Sequence, residues 1–583
     1  MGGACSRKRD HQDDVYDFQR GFSRRYAKSG SSKWLATSFT RPVLDIQPGT
    51  RNGPSLMDLC VRKICKDINK FNTFSMLPRD ISQQIINELV YSGCLTDVSF
   101  EGFRDCALQD LYLGECPDVN DSWMDVISSQ GSSLLSLDLS GSDVTDDGLI
   151  YLQDCKSLQA LNFNDCDHIS DHGLEHISGL SSLTNLSFRR NSAITAHGIS
   201  AFASLINLMK LDLEKCPGIH GGLVHLQGLT KLESLNIKWC NSIDDADMKP
   251  LSDLTNLKCL QICCSKVTDF GITYLKGLHN LSLLNLEGCP VTAACLDSLA
   301  ALDGLLYLNL SRCGLTDEGC EKFSRFGNLK VLNLGFNDIT DAFLVHLKGL
   351  TNLESLNLDS CKIGDEGLVN LTGLQHLKSL ELSDTVVGSG GLHHLSGLIN
   401  LESINLSFTV VTDSGLRKLS GLSSLKSLNL DTRQITDSGL AALTSKHGLT
   451  GLTHLDLFGA RITDSGTTYL RSFKDLKSLE ICGGGLTDVG IKNIKDLSSL
   501  TLLNLSQNCN LTDKTLELIS GLTGLISLNV SNSRITNSGL KHLKMLKNLK
   551  SLTLESCKVT ANEIRKLQMT DLPNLVNFRP GGK

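Results

Sequence analysis

The chain has 583 residues, 40% of them apolar and 20% charged, with a formal net charge of −7. That mixture excludes wholesale disorder, and no run of 18 apolar residues offers a helix able to span a bilayer. Residues 1–54 carry ten Lys/Arg against five Asp/Glu, a net of +5, which leaves −12 for the remainder. A basic arm before an acidic body suits an anionic membrane surface, and there is no broad basic field of the kind nucleic acid requires.

In chain order, Met1-Gly2-Gly3-Ala4-Cys5-Ser6 matches the N-myristoylation pattern M-G-x-x-x-[ST], with Gly2 as acceptor. One acyl chain holds a membrane weakly, so Cys5 is the expected palmitoylation site. Arg7-Lys8-Arg9 adds attraction to anionic lipid. Residues 10–54, with three prolines and Gly30-Ser31-Ser32, read as a flexible tether. Residues 1–54 are therefore expected to form a lipidated basic arm. With no hydrophobic signal core at the start, the expected location is cytoplasmic, peripheral on the inner face of the plasma membrane or an endomembrane.

Residues 55–93 are expected to form a small helical segment. Ser55 precedes Asp58 by three, the spacing of a capping box, and Leu56, Leu59, Cys60 and Ile64 share one helical face. A second helix opens at Leu77-Pro78, with proline in its first turn and Ile81, Ile85 and Leu89 as its stripe. Two readings stand side by side. The pair is either a cap over the open core of the first repeat, which a repeat array requires, or a docking element.

From Leu108 onward the pattern L-x-x-L-x-L-x-x-(C/N/S/T) recurs about 19 times, and the seven steps from Leu257 to Leu425 are each 24 residues long. A 27-residue step to Leu452 marks an insertion at Ser445-Lys446-His447. Each unit reads as a short strand, a turn of the form T-D-x-G-L with Thr or Asp as N-cap, and a short helix with one apolar stripe. Strands pack closer than helices, so the stack must curve. The expected fold is α/β, a leucine-rich repeat solenoid (horseshoe) over residues 94–583. Its parallel sheet is concave, its helices convex, and it has an N-terminal and a C-terminal cap.

Eight cysteines take the ninth repeat position, among them Cys166, Cys216 and Cys240, and Asn191, Asn337 and Asn508 substitute elsewhere. These read as buried thiols rather than a disulfide set. The array resembles the cysteine-containing class of leucine-rich repeats, common in plant-type F-box substrate receptors, although that class usually has a longer unit. Leu77 to Leu89 resembles the opening of an F-box, without its later helices. Leu56, Leu59, Cys60 and Ile64 resemble the box that binds elongin C, and Leu77, Pro78, Ile81 and Ile85 also fit the cullin box. The resemblances imply that these eight residues dock a cullin adaptor.

The concave face of the C-terminal half reads as a polar lining of Asn and Ser, with Phe336, Phe408 and Phe458 as a sparse aromatic trail. Arg189, Arg190, Lys210, Lys215, Lys238 and Trp239 form a basic patch on three adjacent strands, expected to take an acidic or phosphorylated partner. No catalytic constellation is present, and no cofactor or metal is expected. His172 and His176 lack a third ligand, and Gly483-Gly484-Gly485 lacks the Lys-Ser/Thr of a phosphate loop. The expected function is a non-enzymatic protein-binding scaffold. The resemblances make it the substrate-recognition subunit of a cullin–RING (SCF-like) ubiquitin ligase, tethered to membrane by acylation. A membrane-tethered signalling scaffold without a ligase role is the alternative.

Overall fold

The computed structural model describes residues 55–580 except 115, 117, 433, 446 and 447. Gly2 and Cys5 lie outside the described residues. The chain divides into two compact units, the first ending at Leu257 and the second beginning at Lys258.

The first unit opens with helix α1 (Leu56–Lys66), helix α2 (Arg79–Tyr91) and a short turn α3 (Asp97–Glu101). Six three-residue strands follow, from β1 (Asp110–Tyr112) to β6 (Ser234–Asn236). Each pairs in parallel with the next, leucine beside leucine: Leu111 with Leu137, then Leu161, Leu186, Leu211 and Leu235. The second unit repeats this in fourteen strands, from β7 (Cys259–Gln261) to β20 (Asn577–Arg579). The last strand escapes the leucine pattern because Phe578 stands where a leucine is expected. Each unit is a leucine-rich repeat solenoid, as the periodicity required.

The repeated leucines are almost all fully buried, each contributing about 1.5–3 kcal/mol. Many of the segments opposite the sheet are single α or 3₁₀ turns, such as Asp413–Leu416 followed by Arg417–Leu419, and others are short helices such as Asp171–Ile177 and Asp513–Ile519. Segments this short have little intrinsic stability and hold their shape through packing.

The T-D-x-G-L turn works differently from a simple N-cap. Thr436 is the N-cap, its hydroxyl accepting from the Ser438 amide. The aspartate bridges repeats: Asp413 Oδ1 and Oδ2 accept from the amide and hydroxyl of Thr436 at 2.8 and 2.6 Å. The same bond pair joins Asp121 to Thr145, Asp171 to Thr195, Asp464 to Thr487 and Asp513 to Thr536. This explains the glycine, because a Cβ on Gly439 would stand 2.5 Å from Asp413 Oδ1.

The ninth position is a second inter-repeat tie. Cys216 Sγ donates to Phe188 O at 3.0 Å and Cys240 Sγ to Leu213 O at 3.1 Å, in the preceding repeat. Asn191 and Asn337 use Nδ2 for the same purpose on Phe163 O and Leu310 O. One residue earlier the backbone is left-handed at Arg190, Lys215, Trp239, Phe336 and Phe408, with φ between 56° and 62°. That reversal turns these side chains outward.

Candidate protein-binding surface

The helical segment separates into a buried half and an open half. On α2, Ile85, Ile86 and Leu89 are buried in the core. Gln83 completes the edge of β1: its Oε1 accepts from the amides of Gln109 and Asp110, and its Nε2 donates to Asp110 O at 2.6 Å. An unpaired strand edge in contact with protein needs such a partner, so α2 is a cap. Ile85, expected on a docking face, belongs to this core and is unavailable to a partner. Ile81 and Leu77 are half-buried, and Pro78 is exposed.

Helix α1 packs on α2: Val61 is its one buried residue, Cys65 Sγ donates to Ile85 O at 3.7 Å and Arg62 lies 3.8 Å from Glu88. Its N-terminus is fixed by the expected capping box, Ser55 Oγ accepting from the Asp58 amide and Asp58 Oδ2 from the Ser55 amide. Leu56 is 78% and Leu59 50% exposed, Cys60 is exposed, and Ile64 is half-buried. These four therefore line an outward apolar face. The described helices include none long and apolar enough to cross a membrane.

The basic patch lies on the open sheet face of the first unit and is not a field of free cations. Lys210 stands on β5, and the other five residues follow β4, β5 and β6 (Asn185–Ser187, Lys210–Asp212 and Ser234–Asn236). Arg189 Nη2 meets Glu214 Oε1 at 3.2 Å, Lys238 Nζ lies 3.8 Å from Glu214 Oε2, and Arg190 pairs with Asp165 at 3.3 Å. Burial works against ionisation of Glu214, but the charges of Lys238 and Arg189 prevail and hold it below the usual carboxylate range. Beside it, burial pushes Asp212 up to about 6 despite Arg189. Arg189 Nε, Asp212 Oδ2 and Ser234 Oγ are buried without hydrogen-bond partners among the described residues. Lys215 Nζ sits 6.0 Å from the centre of the half-buried Trp239 ring. Sequence reasoning placed all six residues at open positions. Only Arg190 is well exposed; the other five are half-buried, Arg189 and Lys238 being drawn onto the sheet by Glu214.

Nearby, His220, Asp244 and Asp247 bring ligand-type atoms within 4.8 Å of one another. Asp247 is buried and accepts from Gly221 N at 2.7 Å and Asp244 N at 3.2 Å, with His220 Nδ1 2.7 Å away. In this repeat His220-Gly221 replaces Thr-Asp. Asp247 reaches back from the following repeat to make the missing bridge.

In the second unit the asparagines of the lining terminate strands. Asn309, Asn357 and Asn405 each accept on Oδ1 from the amide two residues ahead, at 3.0, 2.8 and 3.0 Å. All described cysteines are free.

Two family profiles, both described as leucine-rich repeat, match the chain. One covers residues 296–363 and 474–535, the other residues 132–152, 154–178, 228–252, 397–420 and 449–470. The chain is a leucine-rich repeat protein. No curated protein matches it. Among solved structures, the mouse RP105/MD-1 complex is similar at 21% identity and a TM-score of 0.52, over 86% of this chain and 88% of that one. An internalin from Listeria monocytogenes is 29% identical over 57% of this chain and 88% of its own, with a TM-score of 0.46. The first likeness is one of fold. Open sheet faces over a rigid stack make the molecule a protein-binding scaffold.

Proposed function

We propose that this scaffold is the substrate receptor of a cullin–RING ubiquitin ligase, held at a membrane by acylation of Gly2 and Cys5. The outward face of α1 carries the reading: Leu56, Leu59 and Cys60 stay exposed on a helix whose start is fixed by its own cap. Exposed leucines on a rigid helix are costly to keep unless something covers them. In this reading α1 docks the adaptor, α2 seals the array, and the open sheet faces capture the target. The second reading, a signalling scaffold without a ligase, draws on Gln83 and Ile85, which give α2 a sufficient role as a cap.

The test is co-purification with the intact chain and with a Leu56→Asp/Leu59→Asp variant. Both positions are exposed, so circular dichroism should be unchanged. A cullin or its adaptor recovered with the parent and lost with the folded variant supports the receptor. The same partners from both, without a cullin, favour the scaffold. For the tether, Gly2→Ala is expected to move the protein from membrane to soluble fractions, and unchanged fractionation refutes it.

A further inference from the structure

On the open sheet face of the first unit the charges are layered. The outward positions of β4, β5 and β6 and of the loops that follow them hold five Lys or Arg and two acids, Asp212 and Glu214. Both acids lie beneath the cations. Asp212 is 1% exposed and the Glu214 side chain 12%, against 27% for Lys238, 36% for Arg189 and 51% for Arg190. An anion approaching this face meets positive charge first. From below, Glu214 takes Arg189 on one carboxylate oxygen and draws Lys238 to the other. Two long side chains are thereby fixed in advance and have less rotamer freedom left to lose on binding.

A second row borders the first. Arg190, Lys215 and Trp239 share a left-handed backbone, with φ of 61°, 62° and 62°. The Arg190 amide donates to Glu214 O and the Lys215 amide to Lys238 O, each at 2.8 Å. These bonds set three adjacent loops side by side, so the three side chains leave the chain in one row. Arg190 is held only by the exposed Asp165, and exposed pairs are weak enough to be exchanged for another anion. An independent observation also points to a ligand. Arg189 Nε is buried and has no acceptor among the described residues, although buried donors are almost always satisfied. The guanidinium is thus held by Glu214 while one of its N–H groups stays unmet.

We propose that this face binds a phosphorylated segment of a partner protein, its phosphoryl group taken by Arg189, Arg190 and Lys215 and the next apolar side chain set against Trp239. A phosphoryl group brings close to two negative charges and three acceptor oxygens, which guanidinium groups match in pairs. A carboxylate brings one charge and two oxygens to the same row. Three strands at about 4.8 Å spacing span about 10 Å, room for one phosphorylated residue and its neighbours. Nucleic acid gains its affinity from a long row of phosphates, for which this span is too short. The proposal rests on the scaffold reading and names the chemistry of its partner. It also gives Glu214 a part that the six basic and aromatic residues alone did not suggest, as the positioning residue beneath the cations.

Fluorescence anisotropy of the full chain tests it, with a labelled ten-residue peptide carrying one phosphoserine followed by leucine. The parent should bind this peptide, more weakly as salt rises, and should not bind its unphosphorylated form. Glutamate in place of phosphoserine should weaken binding about tenfold, and glycine in place of the leucine several-fold. Arg190→Gln/Lys215→Gln should weaken binding by about tenfold or more. Both substitutions keep the alkyl stem, so an unchanged thermal melt excludes unfolding as the cause. If the variant melts lower, the comparison of phosphorylated and unphosphorylated peptides decides on the parent alone. No binding by the parent, equal binding of the unphosphorylated peptide, or equal binding by the folded double variant overturns the proposal. So does binding of phosphatidylserine vesicles that the double variant loses, which would assign the row to lipid. Peptide binding does not involve α1. Loss of the cullin complex without loss of peptide binding therefore removes the ligase reading alone, and the converse removes this proposal alone.

Discussion

Asp413 receives both the amide and the hydroxyl of Thr436, one repeat further on, at 2.8 and 2.6 Å. Because this pair recurs from Asp121 to Asp513, it is a staple of the array. Asp413→Ala leaves two donors without their acceptor and should cost about 1–3 kcal/mol in urea denaturation. Gly439→Ala should cost a similar amount, since its methyl group would press on the same carboxylate. Two variants as stable as the parent would show that leucine packing alone holds the repeats together.

Glu381 sets a pH dependence. Its carboxyl is raised from 4.5 to about 7, by burial above all, so between those values the folded state binds more protons than the unfolded one. Stability from this group is fully present below pH 4.5 and is lost as pH rises through 7. The parent should therefore lose about 1–3 kcal/mol more than Glu381→Gln between pH 5 and pH 8. Parallel pH–stability curves would show that Glu381 ionises normally.

Arg189 and Arg190 are neighbours with opposite consequences. Arg189→Glu strands the largely buried Glu214 beside Asp212 and should cost about 2–4 kcal/mol. Arg190→Glu affects an exposed pair with Asp165 and should cost less than about 1 kcal/mol. Thermal melts of the two variants check this. Equal melting points would refute the network.

The ninth-position thiols should resist alkylation. Burial pushes Cys216 and Cys240 up to about 12, and both donate to backbone. Cys60, Cys94 and Cys509 are exposed. Iodoacetamide at pH 8 followed by peptide mapping should label the exposed set within minutes and the buried set only after denaturation. Early labelling of Cys216 would mean that its repeat opens locally.

Period alone determined the repeat, the parallel strands and the buried stripe, because a leucine every 24 residues has one stacked solution that buries it. Ser55 and Asp58 were legible as a cap for the same reason: the interaction is local. What the sequence left open depended on neighbours one repeat away. The aspartate of the turn looked like a cap residue until the structure placed the next threonine against it. Ile85 and Leu56 are both apolar helix residues near the start, and only packing decided that one is core and the other surface. The basic patch shows this most clearly. Whether a charge on a sheet is free or held depends on what stands on the adjacent strand. Glu214 lies between Arg189 and Lys238 and holds both, whereas Arg190 reaches only the exposed Asp165. That adjacency is a property of the stack, set by register between strands some 24 residues apart in sequence.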